Sequence, residues 1–289
     1  MFQTDMWKSP ILATSLLFGW LFWAIGASAQ QDPAGRTLLA TVVDRSGKAQ
    51  VDFEADDFLI SENGATREVL DVHIADYPLV LLIDDGDAMA LPIIKRAAAR
   101  FVARVGERPV VVGTLSNPDA IRATFEDDRQ DVLDQIESIV PGASDAGLTL
   151  AATARGAQLL QDTGSPFSAI VAVSARAIDA TQTVRGDLLP IILGSGATVH
   201  VVAGRPSAQD GAVPADVPDL LRVLADQSHG MYTAIFSTAS YAIALDRLAD
   251  RLATEMMVQY LVPAGSQAGD VRVGVRRPGS RVVGLGVSK

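Results

Sequence analysis

From residue 37 onward the hydrophobic and polar positions fall into three regimes. Over 37–74 the apolar residues come in short runs without helical period: Leu38-Leu39-Ala40-Thr41-Val42-Val43, then Phe58-Leu59-Ile60-Ser61, then Val69-Leu70-Asp71-Val72-His73-Ile74. Runs of this kind bounded by turn residues read as strands. Arg45-Ser46-Gly47-Lys48 supplies one turn. Glu62-Asn63-Gly64 supplies a hairpin, because Asn-Gly readily takes positive φ. From residue 79 to about residue 257 strands and helices alternate. Leu79-Val80-Leu81-Leu82-Ile83 is continuously apolar, as a strand buried on both faces must be. Further strands are expected at 109–115, 169–174 and 198–203. Helical periodicity occupies 92–105, 128–139, 148–161, 185–193, 217–227 and 241–256, the last with Ile243, Leu245, Leu248, Leu252 and Met256 assigned to one face. Alternation at this spacing predicts an α/β fold with a doubly wound, mainly parallel sheet and helices on both faces. The third regime returns to strands, at 258–262, 271–275 and 281–285, with Arg277-Pro278-Gly279-Ser280 as a turn. These are expected to rejoin the N-terminal strands, because the ends of a domain lie close together and isolated hairpins are marginal in water.

The first thirty residues stand outside this pattern. Lys8 precedes the apolar stretch 11–24, and Ala27-Ser28-Ala29 then offers the small-residue site that signal peptidase reads. The stretch is short for a bilayer span, which needs about 20 residues. The chain is therefore read as a signal peptide over 1–29, a β module over 37–76, an α/β domain over 78–257 and C-terminal strands over 258–289. Export to the periplasm or beyond follows, with an inner-membrane anchor over 11–29 as the alternative if the leader is uncleaved. The absence of cysteine excludes disulfides, thiolate metal sites and cysteine nucleophiles. A formal charge of −10 argues against nucleic acid and against anionic lipid, and leaves proteins as the expected partners.

The densest chemistry follows the first parallel strand. Asp84-Asp85-Gly86-Asp87 places three carboxylates within four positions where the apolar run ends. Ligands of open parallel sheets bind beyond the carboxyl ends of the strands, so the cluster stands where an α/β protein places a site. Other signals are weaker. His73, His200 and His229 are dispersed and lack the short spacing of a zinc site. Ser174, in Val-Ser-Ala-Arg, lacks the glycines of a nucleophile elbow. Gly194-Ser195-Gly196 precedes a strand where a dinucleotide loop would follow one.

Several stretches, taken in order, resemble bacterial exported proteins with a von Willebrand factor type A-like domain. They are Val43-Asp44-Arg45-Ser46-Gly47 and 56–64 in the β prelude, Leu81-Leu82-Ile83-Asp84 through Met89, Phe125-Glu126-Asp127-Asp128, and Pro141-Gly142-Ala143-Ser144. Gln227-Ser228-His229-Gly230-Met231-Tyr232 resembles the family's Gly-Gly segment before its last strand, and Gln259-Tyr260-Leu261-Val262-Pro263 and 273–279 are similar to its C-terminal tail. The resemblance implies a metal-ion-dependent adhesion site with an Asp-x-Ser-x-Ser loop, a threonine from a second loop and an aspartate after a later strand. Here Asp84 matches the first aspartate, Gly86 and Ala88 occupy the serine positions, Ser144 stands for the threonine, and Ala175, beside Arg176, stands for the late aspartate. Hard Mg²⁺ needs an octahedron of oxygen ligands, and two hydroxyls and a carboxylate are missing.

The expectation is a non-catalytic protein-interaction domain without cofactor. Its contact residues are Asp84, Asp85, Gly86, Asp87, Ser144, Asp145, Ala175 and Arg176. The alternative is a Mg-dependent protein: an adhesion domain using Asp84, Asp87 and Ser144, or a phosphohydrolase using the Asp84/Asp85/Asp87 cluster. Asp85-Gly86-Asp87 is similar to the Asp-x-Asp start of haloacid-dehalogenase-type phosphotransferases. That chemistry needs a late lysine, and Lys48 and Lys95 are the only lysines between the leader and Lys289.

Overall fold

Five parallel strands carry the site. A computed structural model describes the protein over residues 34–121, 124–143, 145–180, 188–205, 219–267 and 269–287. The expected leader and Ser144 lie outside the described residues. An interior strand, β6 (Leu79–Ile83), is flanked on one side by β7 (Val110–Thr114) and on the other by β8 (Ala169–Ser174), β9 (Thr198–Gly204) and β10 (Tyr232–Ile235), giving the order β10-β9-β8-β6-β7. All five residues of β6 are buried, as the continuous apolar run predicts.

The two faces of β6 feed different cores. Leu79, Leu81 and Ile83 pack with α1 (Leu91–Arg104), α2 (Arg129–Ser138) and α6 (Ser240–Leu252). Val80 and Leu82 pack with α3 (Ala146–Asp162), α4 (Leu188–Gly194) and α5 (Leu220–Gln227). Side chains of a strand alternate between faces, so an unbroken apolar run is what two helical layers require. The helix after β6 covers one face and the helix after β8 covers the other. The strands diverge in connection there, which makes the carboxyl ends of β6 and β8 the topological switch point.

The remaining strands interleave the two ends of the chain. β1 (Ala34–Val43) lies between β13 (Arg281–Val287) and β11 (Met256–Val262), and β11 pairs in turn with β5 (Val69–Ile74), all antiparallel. A short strand, β2 (Ala49–Gln50), also pairs with β1. A second sheet runs β12 (Val271–Val275), β3 (Phe58–Glu62), β4 (Ala65–Arg67). Leu38, Phe58, Ile60, Val258 and Tyr260, drawn from both sheets, form one buried cluster. The Asn63-Gly64 hairpin closes β3 onto β4 with φ of 53° and 79°, the left-handed pair that such a two-residue turn demands. The described residues form one compact unit.

Two expectations about the last helix are corrected. It ends at Leu252, and Met256 opens β11, paired with Ala40 and Ile74. The Glu255 N–H bonds back to the Leu252 carbonyl at 3.2 Å, which turns the chain before the strand begins. Ile243 is 54 % exposed, while Tyr241, Ala244, Leu245, Leu248 and Leu252 form the buried stripe. Positions two apart on a helix differ by about 200°, so Ile243 and Leu245 cannot share a face. Behind this turn, Tyr77 donates to Glu255 at 2.6 Å, and the buried Arg108 donates to the Leu252 carbonyl at 2.6 Å while lying 3.9 Å over the Tyr77 ring. The clasp ties the entries of β6 and β7 to that of β11.

Candidate functional site

The chain leaves β6 at Asp84, whose N–H still bonds the Val173 carbonyl at 2.8 Å. In extended backbone successive side chains point oppositely, so Asp84 and Asp85 part company. Asp84 is wholly buried. Its Oδ1 accepts the Gly86 N–H at 2.9 Å. Its Oδ2 accepts the Ala175 N–H at 3.0 Å and lies 3.0 Å from Ser174 Oγ. The carboxylate thus spans the switch point and locks the end of β6 to the end of β8. Tyr241, from α6, braces the same place by donating to the Ser174 carbonyl at 2.8 Å. Burial, and after it the Asp84 and Asp87 carboxylates, push the Tyr241 phenol well above the usual range, so it stays a donor.

Asp85 faces the β7 side. Its backbone carbonyl accepts the Gly142 N–H at 3.0 Å, and its Oδ2 accepts a hydrogen bond from Ser116. Oδ1 is buried and has no hydrogen-bond partner among the described residues. Leaving a buried acceptor unpaired costs about 1–3 kcal/mol, so the arrangement is not one that stability alone selects. A Cβ at residue 142 would stand 2.3 Å from Asp85 Oδ2 and 2.5 Å from Ser116 Oγ. Only glycine lets the 141–142 loop cross so close. Between β6, β7 and the end of α2 this leaves a cleft of about 450 Å³.

Asp87 has a third assignment. Its Oδ1 accepts the N–H groups of Met89 and Ala90 at 2.9 and 3.0 Å, and its carbonyl accepts from Leu91. It caps the turn that leads into α1, as a short acidic side chain before a helix commonly does. Its other flank lines a shallow depression of about 300 Å³ with Arg176, Arg205 and Phe236. Asp145 is likewise a cap, accepting the Leu148 N–H at the start of α3 at 2.8 Å.

Of the residues singled out from sequence, the structure therefore joins Asp84, Gly86 and Ala175 in one hydrogen-bonded unit. It sends Asp85 into a separate cleft, gives Asp87 and Asp145 to helix starts, and leaves Arg176 exposed on the rim. Among the described residues no three His, Asp or Glu side chains gather as a metal would need. Ser116 and Tyr241 were not legible as site residues, whereas Gly142 belongs to the Pro141-Gly142-Ala143-Ser144 stretch already singled out. Ser116 arrives by the pairing of β7 with β6 and Tyr241 by the packing of α6 on the sheet, both from distant parts of the chain. The edge also carries apolar surface. Met89, Phe236 and Val140 are 89, 75 and 72 % exposed, the three highest values among the exposed large apolar residues described.

No family model and no curated protein matches the chain. Among solved structures it is similar to the conserved hypothetical protein BatB from Bacteroides thetaiotaomicron, at 16 % identity and a TM-score of 0.41 over 61 % of this chain and 98 % of that one. It is similar to a von Willebrand factor type A protein from Catenulispora acidiphila, at 14 % identity and a TM-score of 0.44 over 90 % of this chain and 74 % of that one. An aerotolerance-related membrane protein from Bacteroides fragilis gives 16 % identity and 0.38 over 61 % and 99 %. All three scores are below 0.5, and what the edge can do rests on its own geometry.

Proposed function

We propose that the chain is a non-catalytic protein-interaction domain of the cell envelope. Its contact face is the loop edge at the carboxyl ends of β6, β8 and β10, and it works without a metal ion. The observation that carries this reading is the Asp84 carboxylate, fully buried with both oxygens already accepting hydrogen bonds. Hexacoordinate Mg²⁺ needs convergent oxygen ligands open to a partner. Among the described residues Asp84, Asp85 and Asp87 are each engaged by different partners, and Gly86 and Ala88 bring no side-chain oxygen, which supports a site that works without the ion. Partner recognition then falls to shape, apolar contact and charge. Met89, Phe236 and Val140 provide exposed apolar surface of the kind that interfaces cover. Asp87, Arg176 and Arg205 provide a polar rim beside it.

The test is site-specific photo-crosslinking in the envelope. p-Benzoylphenylalanine in place of Met89 or Phe236 is expected to give a discrete adduct that EDTA leaves unchanged. The same probe in place of Leu70, exposed on β5, is expected to give none. Adducts that disappear with EDTA, or that form equally from position 70, contradict the reading.

A further inference from the structure

The cleft beside Asp85 has a chemistry of its own. Asp85 is 4 % exposed; Ser116 holds one carboxylate oxygen, and the other has no partner among the described residues. A carboxylate is an acceptor only, so whatever completes it must bring a donor. The lining sets an apolar wall of Val112, Ile139 and Val140 beside the uncharged polar groups of Thr114, Asn117, Gln135 and Ser138, and none of the described lining residues is Lys or Arg. An apolar wall leading to a buried acceptor suits a methylene stem that ends in a cation. The chain's net charge of −10 adds a long-range attraction of the same sign.

We infer that this cleft receives a lysine or arginine side chain of the protein partner, an assignment that rests on the interaction reading above. The aliphatic stem lies along Val140 and Ile139, and the cationic head completes the Asp85 carboxylate after a turn of that side chain brings the sealed Oδ1 to the cleft. A charged and hydrogen-bonded contact in a partly dry cleft is the kind of anchor around which weaker rim contacts are arranged.

The experiment follows backbone amide shifts of the ¹⁵N-labelled full chain as N-acetyl-lysinamide, N-acetyl-argininamide or N-acetyl-norleucinamide is added. The cationic probes are expected to shift the Ser116 and Gly142 amides saturably. The norleucine probe, equal in stem but without charge, is expected to leave them in place. Asp85→Asn is expected to weaken the cationic probes about tenfold, as loss of a charge-assisted pair does. Should that variant fold poorly, Val140→Lys decides: it alters an exposed rim position and supplies a tethered competitor, so free lysinamide must again bind more weakly. Equal shifts from norleucinamide, no shift from either cation, or unchanged affinity in both variants overturns the assignment. Such a failure leaves the interaction reading standing, because the crosslinks from positions 89 and 236 do not involve Asp85.

Discussion

A carboxylate at the end of a buried strand must be met by a cation or by donors, since its desolvation is otherwise too costly. At Asp84 the donors are the Gly86 and Ala175 N–H groups, with Ser174 beside them. The residue therefore acts as a joint between β6 and β8. Asp84→Ala removes the acceptor from all of them at once and is expected to lower stability by about 3 kcal/mol in metal-free buffer. Urea unfolding in EDTA reads this directly. A loss below about 1 kcal/mol, the range of a surface change, would mean that Asp84 is not a joint. The sequence draws attention to Asp84 as part of an acidic cluster at a strand end, and the structure buries it as a joint between two strands. The sequence does not show that Asp85 and Asp87 face elsewhere, because that depends on strand alternation meeting a helix start within three residues.

At the scale of elements, α6 closes over β9 and buries His200, which is 4 % exposed. The ring accepts the Met231 N–H at 3.2 Å and is held neutral. Burial, then Arg251, then Arg108, lowers its pKa from the usual 6.5 to about 4. The unfolded chain takes up this proton near pH 6.5 and the folded chain only near pH 4, so the fold loses stability as pH falls through that window and is unaffected above it. The full loss is about 3 kcal/mol at about 1.4 kcal/mol per pH unit. His200→Gln keeps an acceptor for Met231 and removes the titration. Between pH 7 and pH 4.5 the parent is expected to lose about 2–3 kcal/mol more than this variant in urea unfolding. Equal losses would mean that α6 does not exclude water from the ring. The periodicity that predicts α6 is sound over its middle. Its C-terminal end is misplaced because Leu252 and Met256, four apart, read equally well as one more helical turn, and only the pairing of Met256 with Ala40 and Ile74 ends it.

Across the whole molecule, the features set by local pattern were legible and those set by convergence were not. The buried run 79–83 and the Asn63-Gly64 hairpin each follow from a period or a turn chemistry written in consecutive residues; the pairing of the tail with the N-terminal strands is expected instead from the general closeness of domain ends. The cleft beside Asp85 draws on β6, β7, the end of α2 and the 141–142 loop, and no stretch of sequence announces that meeting. Among the described residues no helix is long and apolar enough to cross a membrane. The central claim is that the strand-end edge meets its partner without a metal ion. Thermal unfolding of the full chain, titrated with Mg²⁺, Mn²⁺ and Ca²⁺ against EDTA, tests it most directly. A ligand bound only by the folded state stabilises by about 2.7 kcal/mol at about a hundredfold its dissociation constant, a readily visible shift in Tm. No shift is expected at millimolar metal. A saturable rise in Tm that Asp84→Ala abolishes would contradict the claim.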